Sequence, residues 1–238
     1  MKVDTSKNES AASPTRMGLL LMVALGSCAA LFPVMVPVSV LHALLGIEPK
    51  FIVPVRTLLV AALLYALLRR QGFELSDVGL RLEWRWATWI WVLMAVAAII
   101  LTGQFLQPWL ASFLPSPRLA ASLTPDGSIP DYLYWVIAVG WVGAAIGEEF
   151  IFRGFLLKVV ERLLHRHIAG TLIAVMFQAL LFGVAHYYQG AAGVITTTLA
   201  GLIMAGLFLI TSRNLLACVA AHGVVNTFGL TMVFLARN

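Results

Sequence analysis

An all-α, polytopic membrane bundle of about seven transmembrane helices, eight at most, is what this sequence predicts, on three observations. Of its 238 residues, 61% are hydrophobic and 11% charged, whereas an average soluble domain is about 25% charged; the mean hydropathy is +0.92. The apolar residues fall in runs close to the roughly 20 needed to cross a hydrocarbon core about 30 Å thick. No alternating ten-residue pattern recurs, so a barrel has little support and spanning helices remain. The length leaves no room for a separate soluble domain.

Residues 1–16 form a polar tail rich in Ser, Thr and Lys, followed by an apolar run over 17–45 that is too long for a cleavable signal and reads as a signal anchor. Pro33 and Pro37 should kink it, since each removes a backbone donor and crowds the preceding turn. Leu25-Gly26-Ser27-Cys28 loosely resembles a lipoprotein cleavage box, but hydrophobicity continues far beyond it, so no lipidation is expected. Six more runs follow, over 52–68, 86–106, 132–147 and beyond, 168–188, 194–211 and 215–236. Residues 17–131 are read as N-terminal spans plus the longest loop, 107–131, and 132–238 as the functional helical core. Trp84, Trp86, Trp89, Trp109, Tyr132, Tyr134 and Trp135 cluster at run ends, where amphipathic rings anchor at headgroups. Cys28 and Cys218 lie in different runs and read as free thiols.

The formal charge of +5 and pI near 9.6 do not indicate a nucleic-acid partner, because the basic residues sit between apolar runs and no nucleic-acid motif accompanies them. With the N-terminus inside, Lys2, Lys7, Arg16, Arg69, Arg70, Arg81, Arg85, Lys158, Arg162, Arg166 and Arg213 are cytoplasmic. Only Lys50, Arg118 and Arg237 are then outside. Arg56 and Arg153 lie within or at the ends of spans and carry no vote. The bias predicts a multi-pass protein of the cell's inner (plasma) membrane, N-terminus cytoplasmic and C-terminus outward.

Several polar residues interrupt the apolar helices. Glu148, Glu149 and Arg153 sit among Phe150, Ile151, Phe152, Phe155, Leu156 and Leu157, where each ionised group costs about 2.5–3.5 kcal/mol at mid-membrane. A solvated i,i+4 pair at a helix end would account for Glu149 and Arg153, but the apolar surroundings favour function. His186 closes the run ending Phe182-Gly183-Val184-Ala185, and His222 and Asn226 share one face of the last helix. Taken singly, these are more often an interfacial histidine and interhelical hydrogen-bond glue. Glu148 precedes the turn near Arg166 by 18 residues and His186 follows it by 20, so both lie roughly 27–30 Å along antiparallel helices. His222 is only 9 residues beyond Arg213, roughly 13 Å. The levels agree if the tip 158–167 protrudes, which would place the site nearer the cytoplasmic face.

Glu148-Glu149-Phe150-Ile151-Phe152-Arg153 matches E-E-x-x-x-R, Phe182 to His186 matches F-x-x-x-H, and His222 to Asn226 matches H-x-x-x-N. In this order and spacing the three motifs resemble the CPBP/Abi group of intramembrane proteases, which includes the type II CAAX prenyl endopeptidases and bacteriocin-associated homologues. The resemblance implies an endopeptidase acting on a membrane-associated protein or peptide, of which a prenylated CAAX C-terminus is the best-known kind. It implies that Glu148 and His186 activate a water while His222 and Asn226 donate to the oxyanion. Glu149 is read as the partner of Arg153, a brace for the helix. The same Glu148, His186 and His222 form a zinc-like donor set, so a metallo-mechanism stands beside the favoured glutamate mechanism, which requires no cofactor.

A non-catalytic immunity or partner-binding protein and a proton-coupled transporter use overlapping residues. A proton relay has no obvious use for the His222 and Asn226 pair, and no inverted repeat is detectable. Gly143 and Gly147 form a small-residue step that admits a neighbouring helix. His42, His165 and His167 are read as exposed. The cavity is expected to be wet, because backbone amides enter hydrocarbon only at high cost, and to open to the cytoplasm between Lys158, Arg162 and Arg166.

Overall fold

The computed structural model describes residues 14–80, 85–114 and 124–238. Its helices are α1 (Arg16–Met35), α2 (Val38–Leu45), α3 (Pro49–Arg70), α4 (Trp86–Ala111), α5 (Ile129–Leu163), α6 (Ile168–Ala185), α7 (Gly190–Ile210) and α8 (Leu215–Arg237). Seven of them, all but α2, are long and apolar enough to cross a membrane, and no strand occurs among the described residues. The chain is a polytopic helical bundle. Most of the polar tail, together with Arg81, Trp84, Pro115, Pro117 and Arg118, lies outside the described residues.

Two boundaries differ from the sequence reading. The first apolar run is two helices, not one kinked span: Pro33 is accommodated within α1, but Pro37 caps α2 and the chain breaks between them. Proline has no N–H to continue a ladder, yet is tolerated where a new helix begins. The loop 107–131 is also shorter than expected, because α4 continues through Pro108 to Ala111 and α5 starts at Ile129, with Pro130 in its first turn. His167 likewise has a local task, its Nδ1 accepting from Gly170 N–H to cap α6.

Helix α5 is the axis of the bundle. Its Phe155, Leu156 and Leu157 are fully buried; Phe155 and Leu156 pack with α1, α3 and α6 on one side, and Leu157 with α4, α7 and α8 on the other. Lipid is as apolar as leucine, so such helices associate through close packing and hydrogen bonds rather than hydrophobic transfer. Gly143 and Gly147 supply the closeness: a Cβ on Gly143 would meet Pro54 Cα at 2.8 Å, and one on Gly147 would meet Thr57 Cγ2 at 2.6 Å. On the α8 side, Trp141 Nε1 donates to Thr227 Oγ1 at 3.0 Å, and the Tyr132 and Thr231 hydroxyls lie 2.8 Å apart.

Most of α5 is π-helical, over Trp135–Glu148 and Phe150–Leu157. Arg213 forms a two-pronged ion pair with buried Glu161 at 2.5 and 2.9 Å, so the tip is tied to the 211–214 turn instead of standing clear of it. Glu149 lies twelve residues before Glu161 on α5, and His222 nine residues after Arg213, with α8 itself starting only at Leu215. Between the Glu161–Arg213 and Glu149–His222 pairs α5 is largely in i→i+5 turns, over Phe150–Leu157.

One end of the bundle carries Arg16, Arg69, Arg70, Arg85, the 158–167 tip and the 211–214 turn, joined where Leu215 N–H donates to Gly79 O at 2.8 Å. The opposite end carries α2, the start of α3, residues 124–128 and the C-terminus. There Lys50 pairs with Asp131 at 2.8 Å, and Arg237 donates to Pro125 O and Thr124 Oγ1.

Candidate active site

The two adjacent glutamates face different surroundings. Glu149 and Arg153 are fully buried, with Arg153 Nη1 2.9 Å from Glu149 Oε1. Arg153 Nη2 donates to Gly201 O of α7 at 3.1 Å, and the same carbonyl accepts from Gln178 Nε2 of α6 at 3.2 Å. The guanidinium also lies over the Phe182 ring, 4.8 Å from its centroid. Helices α5, α6 and α7 are thereby joined around one charge pair, a use for Arg153 beyond bracing its own helix.

His222 belongs to this buried group. Its Nδ1 lies 2.7 Å from Glu149 Oε1; a carboxylate accepts, so Nδ1 carries the proton and the Nε2 of the neutral ring holds a lone pair. Asn226, one turn further, donates from Nδ2 to Gly140 O on α5 at 3.0 Å. Neither His222 nor Asn226 is among the residues lining the cavity described next.

Glu148 and His186 line a cavity of about 1000 Å³. His186 Nε2 is 3.8 Å from Glu148 Oε2, too long for a direct hydrogen bond and short enough for one water to touch both. Its Nδ1 is 2.8 Å from Phe182 O. A carbonyl only accepts, so Nδ1 carries the hydrogen and the Nε2 lone pair is aimed at Glu148. Phe182 packs on both imidazoles, its ring centroid 4.6 Å from that of His186 and 6.2 Å from that of His222. The motif phenylalanine therefore sets both histidines and covers Arg153.

The cavity opens at the end opposite the basic loops. Pro37, Ser39 and His42 of the α2 region, Glu48 and Pro49, Gln107, Thr124 and the turn Tyr187–Gln189 line it, whereas Lys158, Arg162 and Arg166 do not. This corrects the expected opening between those three residues. The reason is length: α6 runs its full 18 residues from the basic tip before reaching His186, about 27 Å at 1.5 Å per residue.

Glu148, His186 and His222 do not gather as a metal-holding group among the described residues. His222 does not line the cavity that Glu148 and His186 share, although the Nε2 lone pair of each imidazole is free. As placed, the three residues do not form a three-ligand metal centre.

Arg56 of α3, which the sequence reading set aside, lines the same cavity. A lone arginine inside the run 52–68 is the signal that could have found it, since an intramembrane charge is a functional candidate by default. Gln178 and Gly201 gave no such signal, because an amide or glycine in an apolar helix is unremarked until its partners are known.

Residues 130–228 match the family model described as type II CAAX prenyl endopeptidase Rce1-like. Neither a curated protein nor a solved structure matches the chain. The matched segment holds Glu148, Glu149, Arg153, His186, His222 and Asn226, and the resemblance carried by their three motifs is thus shown as one to the Rce1-like type II CAAX prenyl endopeptidases, over residues 130–228.

Proposed function

We propose that the chain is an intramembrane endopeptidase that hydrolyses a peptide bond of a membrane-associated protein or peptide, by a metal-free glutamate mechanism. The observation that carries it is the Glu148 and His186 pair, 3.8 Å apart on the wall of a cavity inside an apolar bundle. A water between them gives a proton to Glu148 while its oxygen bonds to the scissile carbonyl carbon. The carbonyl electron pair moves onto oxygen. When it returns, the C–N bond breaks and the proton passes from Glu148 to the leaving amine. The resemblance would make His222, held by Glu149, and Asn226 oxyanion donors; neither lines the cavity, and His222 would donate from Nε2 only as the imidazolium.

The prenylated CAAX C-terminus named by the family is the substrate class to test first. Phe32, Pro33, Val34 and Val53 on α1 and α3 supply an apolar wall to the cavity, which suits a lipid-bearing chain. We further place the N-terminus in the cytoplasm of the cell that holds this protein in its inner membrane, by the charge asymmetry of the two ends.

Profiling of new protein N-termini in membranes from cells expressing the wild type or Glu148→Gln tests the activity. The substitution keeps volume and hydrogen bonding but removes the base, whose contribution is about 10²–10⁴-fold. Cleavage sites present with the wild type and absent with Glu148→Gln, at equal expression, are expected. No such site, or near-normal turnover by Glu148→Gln, would overturn the reading in favour of a non-catalytic membrane protein of the same fold.

A further inference from the structure

Arg56 takes no part in the steps above, yet it stands on the cavity wall with Glu148 and Tyr188. Its Nη1 is buried without a hydrogen-bond partner, and so is Glu148 Oε2. The two side chains are near enough for their charges to interact, as are Arg56 and Tyr188. The approach follows from packing, because Gly143 and Gly147 of α5 seat Pro54 and Thr57 of α3, the residues that flank position 56. Arg56 also lies outside residues 130–228, so nothing in the family match assigns it a role.

Hydrolysis needs a donor at the developing oxyanion, and the other candidates are poorly supplied. Neutral His186 and neutral His222 both hold their ring proton on Nδ1, against Phe182 O and Glu149 Oε1. Asn226 donates to Gly140 O and does not line the cavity. A guanidinium is always charged and carries five N–H donors. We propose that Arg56 is a catalytic residue that binds the scissile carbonyl oxygen and stabilises its oxyanion from the side of the cavity facing Glu148. The assignment rests on the endopeptidase reading. As the water oxygen bonds to carbon and the carbonyl pair moves onto oxygen, Arg56 Nη1–H holds that charge. When the C–N bond breaks, the pair returns to the carbonyl and the amine leaves with the proton from Glu148.

The test uses purified full-length wild type, Glu148→Gln, Arg56→Gln and Arg56→Lys, assayed on a peptide spanning the cleavage site found by N-terminal profiling. Loss of an oxyanion donor is expected to lower kcat about 10²–10³-fold, with KM changed by no more than about threefold, at every pH. Arg56→Lys, which keeps the charge, should recover part of the rate. A raised KM with kcat preserved would make Arg56 an anchor for a substrate carboxylate and overturn the proposal. A loss confined to low pH and recovered at high pH would make it only a counter-charge to Glu148, acting among Glu148, His186 and Tyr188, and would also overturn it. Should Arg56→Gln fail to fold, judged by its thermal unfolding in detergent, Arg56→Lys decides: an unchanged kcat overturns the assignment. Inactive Glu148→Gln beside fully active Arg56→Gln removes the Arg56 role alone, whereas active Glu148→Gln, or no cleavage site found with the wild type, removes the endopeptidase reading and this proposal with it.

Discussion

Glu148 and Glu149 share a peptide bond but are set to different work by what they touch. Glu149 is fully buried and accepts from both Arg153 and His222, whereas Glu148 is partly exposed in a cavity opposite His186. Removing one partner of a buried ion pair leaves an uncompensated charge, a loss of about 3–5 kcal/mol. Arg153→Ala should therefore lower the unfolding free energy in detergent by that order, seen as a lower unfolding midpoint. Glu149→Gln combined with Arg153→Met, which removes both charges at similar volume, should recover at least half of the loss. If the double variant is as unstable as Arg153→Ala, the damage comes from lost packing over Phe182 and not from stranded charge.

At the scale of the helix, the contact between α3 and α5 decides whether the site exists, because it brings Arg56 beside Glu148. Gly143 is its least forgiving point, since a Cβ there meets the backbone of Pro54, which cannot rotate away. Gly143→Ala is expected to destabilise by about 1–3 kcal/mol, as overpacking does, and to lower kcat on the same peptide. Gly103→Ala in α4 is the control. Nothing lies within 4 Å of its added Cβ, so both quantities should stay near wild type once the small gain in helix propensity is allowed for. Equal behaviour of the two variants would show that the close approach of α3 does not matter to the site.

For the molecule as a whole, the cavity and the basic loops lie at opposite ends, so the proposed cytoplasmic N-terminus would put the opening on the outer face. Ser39 lines the cavity and Ser76 lies at the basic end, both exposed. In a background with Cys28 and Cys218 replaced by Ser, Ser39→Cys should react with a membrane-impermeant maleimide on intact cells. Ser76→Cys should react only after permeabilisation. The reverse pattern would turn the protein over in the membrane and place the opening in the cytoplasm, leaving the geometry of the site untouched.

Much of this was legible in the chain. Composition and run length determined seven spanning helices, because a span is set by the thickness of the hydrocarbon it must cross. Three local spacings marked Glu148, Glu149, Arg153, His186, His222 and Asn226, because residues one turn apart share a helix face wherever that helix packs. Tertiary structure alone decided which glutamate meets which histidine. The reading at 1.5 Å per residue could not foresee the π-helical turns of α5, nor that His222 pairs with Glu149 and that Glu161 of the hairpin tip is tied to Arg213. The opening of the cavity and the place of Arg56 were equally hidden, since both depend on contacts between helices far apart in sequence, where spacing along the chain carries no information about distance.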